Sequence, residues 1–156
     1  MEQIAATLLT WIAMNSGYPI ADIPLPKIVV LSPPQMTSLY HRVIGSEQRV
    51  PEGEHRVLGH FEPRPGRQGT VFIVDPSATP NAKHFADPSD NLWFRERLRH
   101  ELVHYVQHYT GAYSRFECIE QGEYDAYVLG GRYLADRGVQ DLLPGRMLLA
   151  RQYSDC

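Results

Sequence analysis

The chain is short of cysteine, of long apolar runs and of charge of one sign, and each shortage removes a class of protein. Two cysteines, Cys118 and Cys156, are too few among 156 residues for a disulfide framework. They could pair with each other, but Cys156 is the last residue and reads as a free thiol. No stretch approaches the ~18 consecutive apolar residues of a membrane-spanning helix. A net charge of −3 gives no reason to expect a nucleic acid or an anionic membrane as partner. Basic residues are also missing from the N-terminus, where Glu2 is the only early charge. No small-residue cleavage site precedes Asn15-Ser16-Gly17-Tyr18-Pro19, so the first fourteen residues do not read as a signal peptide. That favours the cytoplasm.

What is present suits one globular domain. Hydrophobic residues make up 43% and charged residues 21%, and the length allows a buried core without staples. Ile4, Leu8, Trp11 and Ile12 fall at helical spacing and predict an N-terminal helix packed on that core. Lys27–Leu31 reads as a buried strand. Ser32 and Pro33 open a helix whose apolar face is Met36, Leu39, Tyr40 and Val43, ending near Gly45. Gly45–Glu54 is polar and reads as exposed. His55–Phe61 and Thr70–Val74 read as two strands of a hairpin, turning over Pro63–Gly69. Asp75–Ala86 is a long loop that either borders a site or is a passive connection.

Asp87 and Pro88 then predict the start of a helix that runs to about Tyr109, roughly 33 Å, with Gly111 closing it. Ser114-Arg115-Phe116-Glu117 has the form of a capping box. It predicts a next helix to about Arg137, interrupted late by Gly130-Gly131 and stopped by Gly138. A last helical piece is expected around Leu142–Leu149, broken by Pro144-Gly145.

The central helix carries His100-Glu101-Leu102-Val103-His104. Chance alone would give a chain of this composition such an H-E-x-x-H pentad about 2% of the time. On a helical wheel the two histidines lie about 40° apart, with Trp93, Arg97 and Gln107 toward the same side. Phe94, Leu98, Leu102, Tyr105 and Tyr109 form an opposing core stripe. Two imidazoles at i and i+4 can give a zinc ion two nitrogens from one rigid element. Glu101 lies too far round to join them as a ligand, but it can reach a water beside the metal and act as general base.

A catalytic zinc needs a third protein ligand and an open fourth position. The metzincin continuation is excluded, because Gln107 and Thr110 stand where it requires Gly and His. A glutamate from the next helix is the other common source. Glu117 belongs to the capping box. Glu123 shares a face with Ile119, Tyr127 and Gly130, where the glycine would let helices approach closely. Glu120 lies about 60° off that line and is the reserve.

His100–His104 with Gln107, followed by Cys118 and then Glu123-x-x-Ala126-Tyr127, resembles the gluzincin branch of the zincin metallopeptidases. It is particularly similar to small bacterial proteins with H-E-L-V-H-x-x-Q, a Cys and E-x-x-A-Y. Asn15–Pro19 and Gly69–Val74 resemble that group as well. The resemblance implies one zinc held by His100, His104 and Glu123, with Glu101 as general base. Larger gluzincins place an acidic residue four positions after the ligand glutamate to support a zinc histidine; here that position is Tyr127.

These readings converge on an α+β, zincin-like single domain, with a small twisted sheet on the H-E-x-x-H helix and a ligand-bearing helix behind it. The expected activity is zinc-dependent hydrolysis of a peptide or protein substrate. The competing expectations are a non-catalytic zinc-binding or peptide-binding pseudo-enzyme, and a metal hydrolase of a non-peptide amide. Tyr127, Tyr124, Tyr105 and His108 are candidate donors to an oxyanion, Tyr127 foremost. The edge of the strand Thr70–Val74 could take an extended peptide. His41, His55, His60 and His84 read as surface residues.

Overall fold

The computed structural model describes residues 1–44, 57–67 and 69–156. The expected exposed stretch Gly45–Glu54 lies outside them, as do His55 and Arg56. The fold is α+β, with five α-helices and one three-stranded mixed sheet among the described residues. In chain order these are α1 (Glu2–Asn15), β1 (Lys27–Leu31), α2 (Pro33–Ile44), β2 (Gly59–Pro63), β3 (Gly69–Val74), α3 (Leu92–Tyr109), α4 (Gln121–Ala135) and α5 (Arg146–Ser154).

The sheet order is β1-β3-β2. β3 pairs in parallel with β1, Val29 opposite Phe72, and antiparallel with β2, Phe61 opposite Val71. The expected hairpin therefore forms. Its strands carry the pairing further into the turn than expected, since Pro63 pairs with Gly69. Two expectations fail here. β1 is an outer strand with Val30 40% exposed, not a buried one. β3 is central and paired on both sides, so its edge cannot accept a peptide; the edge facing α3 is that of β2.

Val71 and Ile73 of β3 enter the main core with Phe61 of β2. They meet Leu8 and Ile12 of α1 and Phe94, Leu98 and Leu102 of α3. Of the predicted core stripe of α3, Phe94, Leu98, Leu102 and Tyr105 are buried and Tyr109 is partly buried, and α1 lies where its apolar spacing put it. α3 is also covered on its polar side, by α4 and β2, where Glu101, His104 and Gln107 are buried. A helix walled on both flanks holds its polar residues rigidly, which a site requires.

Several helix boundaries moved. Asp87 does cap Pro88–Asp90, accepting from the Ser89 amide at 2.9 Å, but that segment is a 3-10 turn. α3 begins after it, capped by Asn91, whose side chain accepts from the Trp93 amide at 3.0 Å and donates to Pro80 O at 2.8 Å. A cap that also anchors the preceding loop outcompetes the purely local one. Gly111, at φ 70°, closes the far end as expected. The capping box does not form. Ser114 Oγ donates to Gly111 O at 2.8 Å inside a 3-10 turn, and Gln121 Oε1, not Ser114, receives the Glu117 amide. α4 therefore starts only at Gln121, and it runs unbroken through Gly130-Gly131.

α5 starts after Gly145 at φ 76° and reaches Ser154, further than the expected Leu149. Cys156 is not free: it forms a disulfide with Cys118, Cα–Cα 5.9 Å, which ties the end of the chain to the entry of α4. A buried ion network ties α5 to α3. Arg146 grips Asp141 through Nε at 2.5 Å and Nη2 at 2.9 Å, and reaches Glu96 at 2.8 Å. Arg99, fully buried, approaches the same Glu96 oxygen at 3.4 Å and donates to Ala126 O at 2.9 Å. Gly130 makes this possible, because a Cβ there would lie 2.3 Å from Glu96 Oε1. Among the described residues, no helix is long and apolar enough to cross a membrane.

Candidate metal centre

α3 presents His100 and His104 on adjacent turns, and the first turn of α4 lays Glu123 across them. The two Nε2 atoms are 3.2 Å apart. Glu123 places Oε2 3.0 Å from His100 Nε2 and Oε1 3.2 Å from His104 Nε2. A tetrahedral zinc with bonds of about 2.05 Å needs donors roughly 3.3 Å apart. The three residues thus already stand close to the separation one face of such a tetrahedron requires. Among the described residues no further His, Cys, Asp or Glu joins this group. Asp125 is engaged elsewhere, and both cysteines are in the disulfide. Glu120, the reserve, is exposed at the cap of α4 and takes no part.

Glu101 is buried beside the triad. Burial raises its carboxyl pKa, the charges of His100 and His104 oppose the rise, and Glu123 adds to it. The close wall is the backbone of β2. A Cβ on Gly59 would sit 2.6 Å from both Cγ and Oε1 of Glu101.

His104 is fixed from behind by a network that the sequence reading lacked. The amide nitrogen of Gln107 donates to Gly122 O at 2.8 Å and to the Tyr18 hydroxyl at 3.0 Å. Tyr18 in turn donates to Asp125. With both amide hydrogens committed, the Gln107 oxygen is left to accept from Nδ1–H of His104, 3.0 Å away. That tautomer frees the Nε2 lone pair for the triad. Tyr113 Oη lies 3.4 Å from the same Nδ1. Gln107 had been placed on the correct face by helical spacing; Tyr18, Tyr113 and Asp125 come from other segments, and no local pattern marks them.

His100 and Glu123, with Glu101, line a cleft of about 440 Å³, walled by β2 and its lead-in, by α3 and α4, and by α5 with the loop before it. Tyr127 lines it, stacked edge-on to His100 at 5.1 Å and flat on Tyr153 of α5 at 5.7 Å. Its phenol is pushed up to about 12, first by burial and then by Glu123, so it keeps its proton. The other expected oxyanion donors are placed elsewhere. Tyr105 is in the core and donates to Pro24 O at 2.8 Å. His108 packs on Phe61, and Tyr124 is exposed outside the cleft. The loop Asp75–Ala86 contributes nothing to the cleft wall and is a connection.

Of the remaining histidines, His84 is exposed as expected, and His55 lies outside the described residues. His60 is half-buried against Phe72, and burial lowers its pKa. Both ring nitrogens of His41 are buried, so neither residue is the simple surface histidine expected. No family model matches the chain, and neither does any curated protein or solved structure.

Proposed function

We propose that the protein is a zinc-dependent hydrolase of peptide or amide bonds, with a zincin-like site of the gluzincin type. The observation that carries this reading is the His100–His104–Glu123 triangle, 3.0 to 3.2 Å on its sides, with the Glu101 carboxyl beside it and a cleft in front. Three protein donors, with no fourth among the described residues, favour a catalytic over a structural metal. Zinc bound there would supply a Lewis acid for the substrate carbonyl and lower the pKa of a nearby water.

The chain's own groups divide the remaining work. Glu101, its pKa raised by burial, takes the proton of the attacking water and passes it to the leaving amine. Gln107 holds His104 in one tautomer and orientation. Tyr127, protonated in the cleft, is the group to donate to the developing oxyanion. β2, with Gly59 against Glu101, offers an extended backbone beside the bond to be cleaved.

Metal analysis of the wild type, Glu101→Gln and Glu123→Ala tests the reading. The expected result is one zinc per chain, kept in Glu101→Gln and largely lost in Glu123→Ala. Zinc retained in Glu123→Ala would sink the ligand set. Wild-type turnover of any cleaved peptide by Glu101→Gln would sink the mechanism.

A further inference from the structure

Arg97 lies one helical turn before His100 on α3, and both line the cleft. Among the described residues it is the one cleft arginine without a hydrogen bond or close ion pair. Arg146 is held by Asp141 and Glu96. Glu96, the neighbour of Arg97 in sequence, turns its Oε1 to Arg146 and Arg99, and its charge acts on Arg97 without a hydrogen bond. Nη1 of Arg97 is out of solvent contact and has no hydrogen-bond partner at all. Burial pulls its pKa below the ordinary value, but a guanidinium keeps its charge near neutral pH. A guanidinium whose nitrogen is held out of water without a hydrogen bond is costly to leave unsatisfied. Its fork of donors fits one class of group above others, a carboxylate bound by two parallel hydrogen bonds.

We propose that Arg97 is the substrate-carboxylate receptor of the cleft. The ligand is a peptide that presents a carboxylate one residue beyond the bond at the triad. The spacing supports this: three residues of helix separate Arg97 from His100 by about 4.5 Å of rise. One extended peptide residue spans about 3.5 Å. Trp93, Leu142 and Leu143 also line the cleft and supply apolar wall on which the side chain of that residue can pack. The carboxylate is either the peptide's C-terminus, which would make the enzyme a carboxypeptidase, or an acidic side chain. Cleavage rests on the hydrolase reading above; carboxylate binding does not, because Arg97 is outside the metal triad.

The test uses the full chain freed of metal with a chelator, so that nothing is cleaved. Three peptides are titrated calorimetrically: acetyl-Gly-Phe, its C-terminal amide, and acetyl-Gly-Asp amide. Wild-type protein should bind one of the two carboxylate peptides about tenfold to a hundredfold more tightly than the neutral amide. Preference for the first identifies a terminal carboxylate, and preference for the third an acidic side chain. Arg97→Gln should abolish the preference, Arg97→Lys should keep part of it, and neither should lower the melting temperature. Equal affinity for all three peptides would overturn the proposal. So would a preference that survives in Arg97→Gln, or a loss of melting temperature marking Arg97 as structural. Zinc content measured on reloaded portions of the same samples separates the two readings: no zinc uptake sinks the hydrolase and leaves the carboxylate comparison standing.

Discussion

Nδ1 of His104 donates to the amide oxygen of Gln107 across 3.0 Å, and Gln107 is itself pinned by Gly122 O and Tyr18. Under the zinc reading proposed above, a neutral amide here would fill the role that an acidic group plays at many zinc-histidine sites. Gly122 is part of the fit, since a Cβ there would approach Gln107 Oε1 to 2.8 Å.

Gln107→Ala should therefore weaken zinc binding about 10- to 100-fold, the usual cost of losing such a support. Gln107→Glu, which keeps an acceptor, should lose less. Competition with a chromophoric chelator reads both. Equal zinc affinity in wild type and Gln107→Ala would show that the tautomer is set by something else, with Tyr113 the next group in reach.

The metal-free protein should have a distinct pH profile. Burial opposes charge on His104, but the hydrogen bond and charge of Glu123, with Glu101, outweigh it and hold the imidazole up at about 9. A folded value above the ordinary 6.5 means stabilisation that is complete below about 6.5 and lost as pH rises through about 9. Glu123 runs the other way. Burial would raise it, yet both histidines hold it well below its ordinary 4.5, so its contribution is lost only in acid. Melting of chelated protein should accordingly fall between pH 6.5 and 9.5. Zinc affinity should rise over the same window, with proton release seen in buffers of different ionisation enthalpy. A melting temperature that climbs across that window would contradict the ion pair.

How much of this was legible depended on how local each cause is. His100, His104 and the core stripe of α3 follow from one helical period. Glu123 followed from the same period on the next helix, with Gly130 marking a close approach that turned out to accommodate Glu96, Arg99 and Arg146. Asp87 and Ser114 misled because each offers a local cap, while Asn91 can cap and anchor Pro80 at once. Tyr18 and Asp125 are 107 residues apart, and only tertiary packing joins them. The disulfide was missed for the same reason: a separation of 38 residues carries no pairing signal of its own.

That disulfide holds α5 against the site, because Tyr153 stacks on Tyr127 and Tyr127 on His100. Closing a loop of this size removes unfolded-state entropy worth about 4 kcal/mol in the chain-entropy model. Cys118→Ser, or reduction of the wild type, should lower stability to denaturant by up to about that amount. The bond persists in an oxidising setting and is rare in the cytosol of mesophiles. A thiol count on freshly lysed cells grown without added oxidant, read beside the denaturation midpoint, checks both. Two free thiols with unchanged stability would show the bridge to be dispensable.

Gly59 gives the sharpest separation of the proposed metal binding from the proposed proton transfer. It is in β2, not among the proposed metal donors, yet its backbone abuts the Glu101 side chain so closely that a methyl group would overlap Cγ and Oε1 at 2.6 Å. Gly59→Ala must therefore displace either the strand or the carboxylate. A strand hydrogen-bonded to β3 along its length yields less readily than one side chain, so Glu101 moves. The expected variant keeps its zinc, because His100, His104 and Glu123 are untouched, and loses about 100-fold in turnover through misplacement of its base. Loss of zinc together with activity would mean instead that β2 shifted and carried the cleft with it.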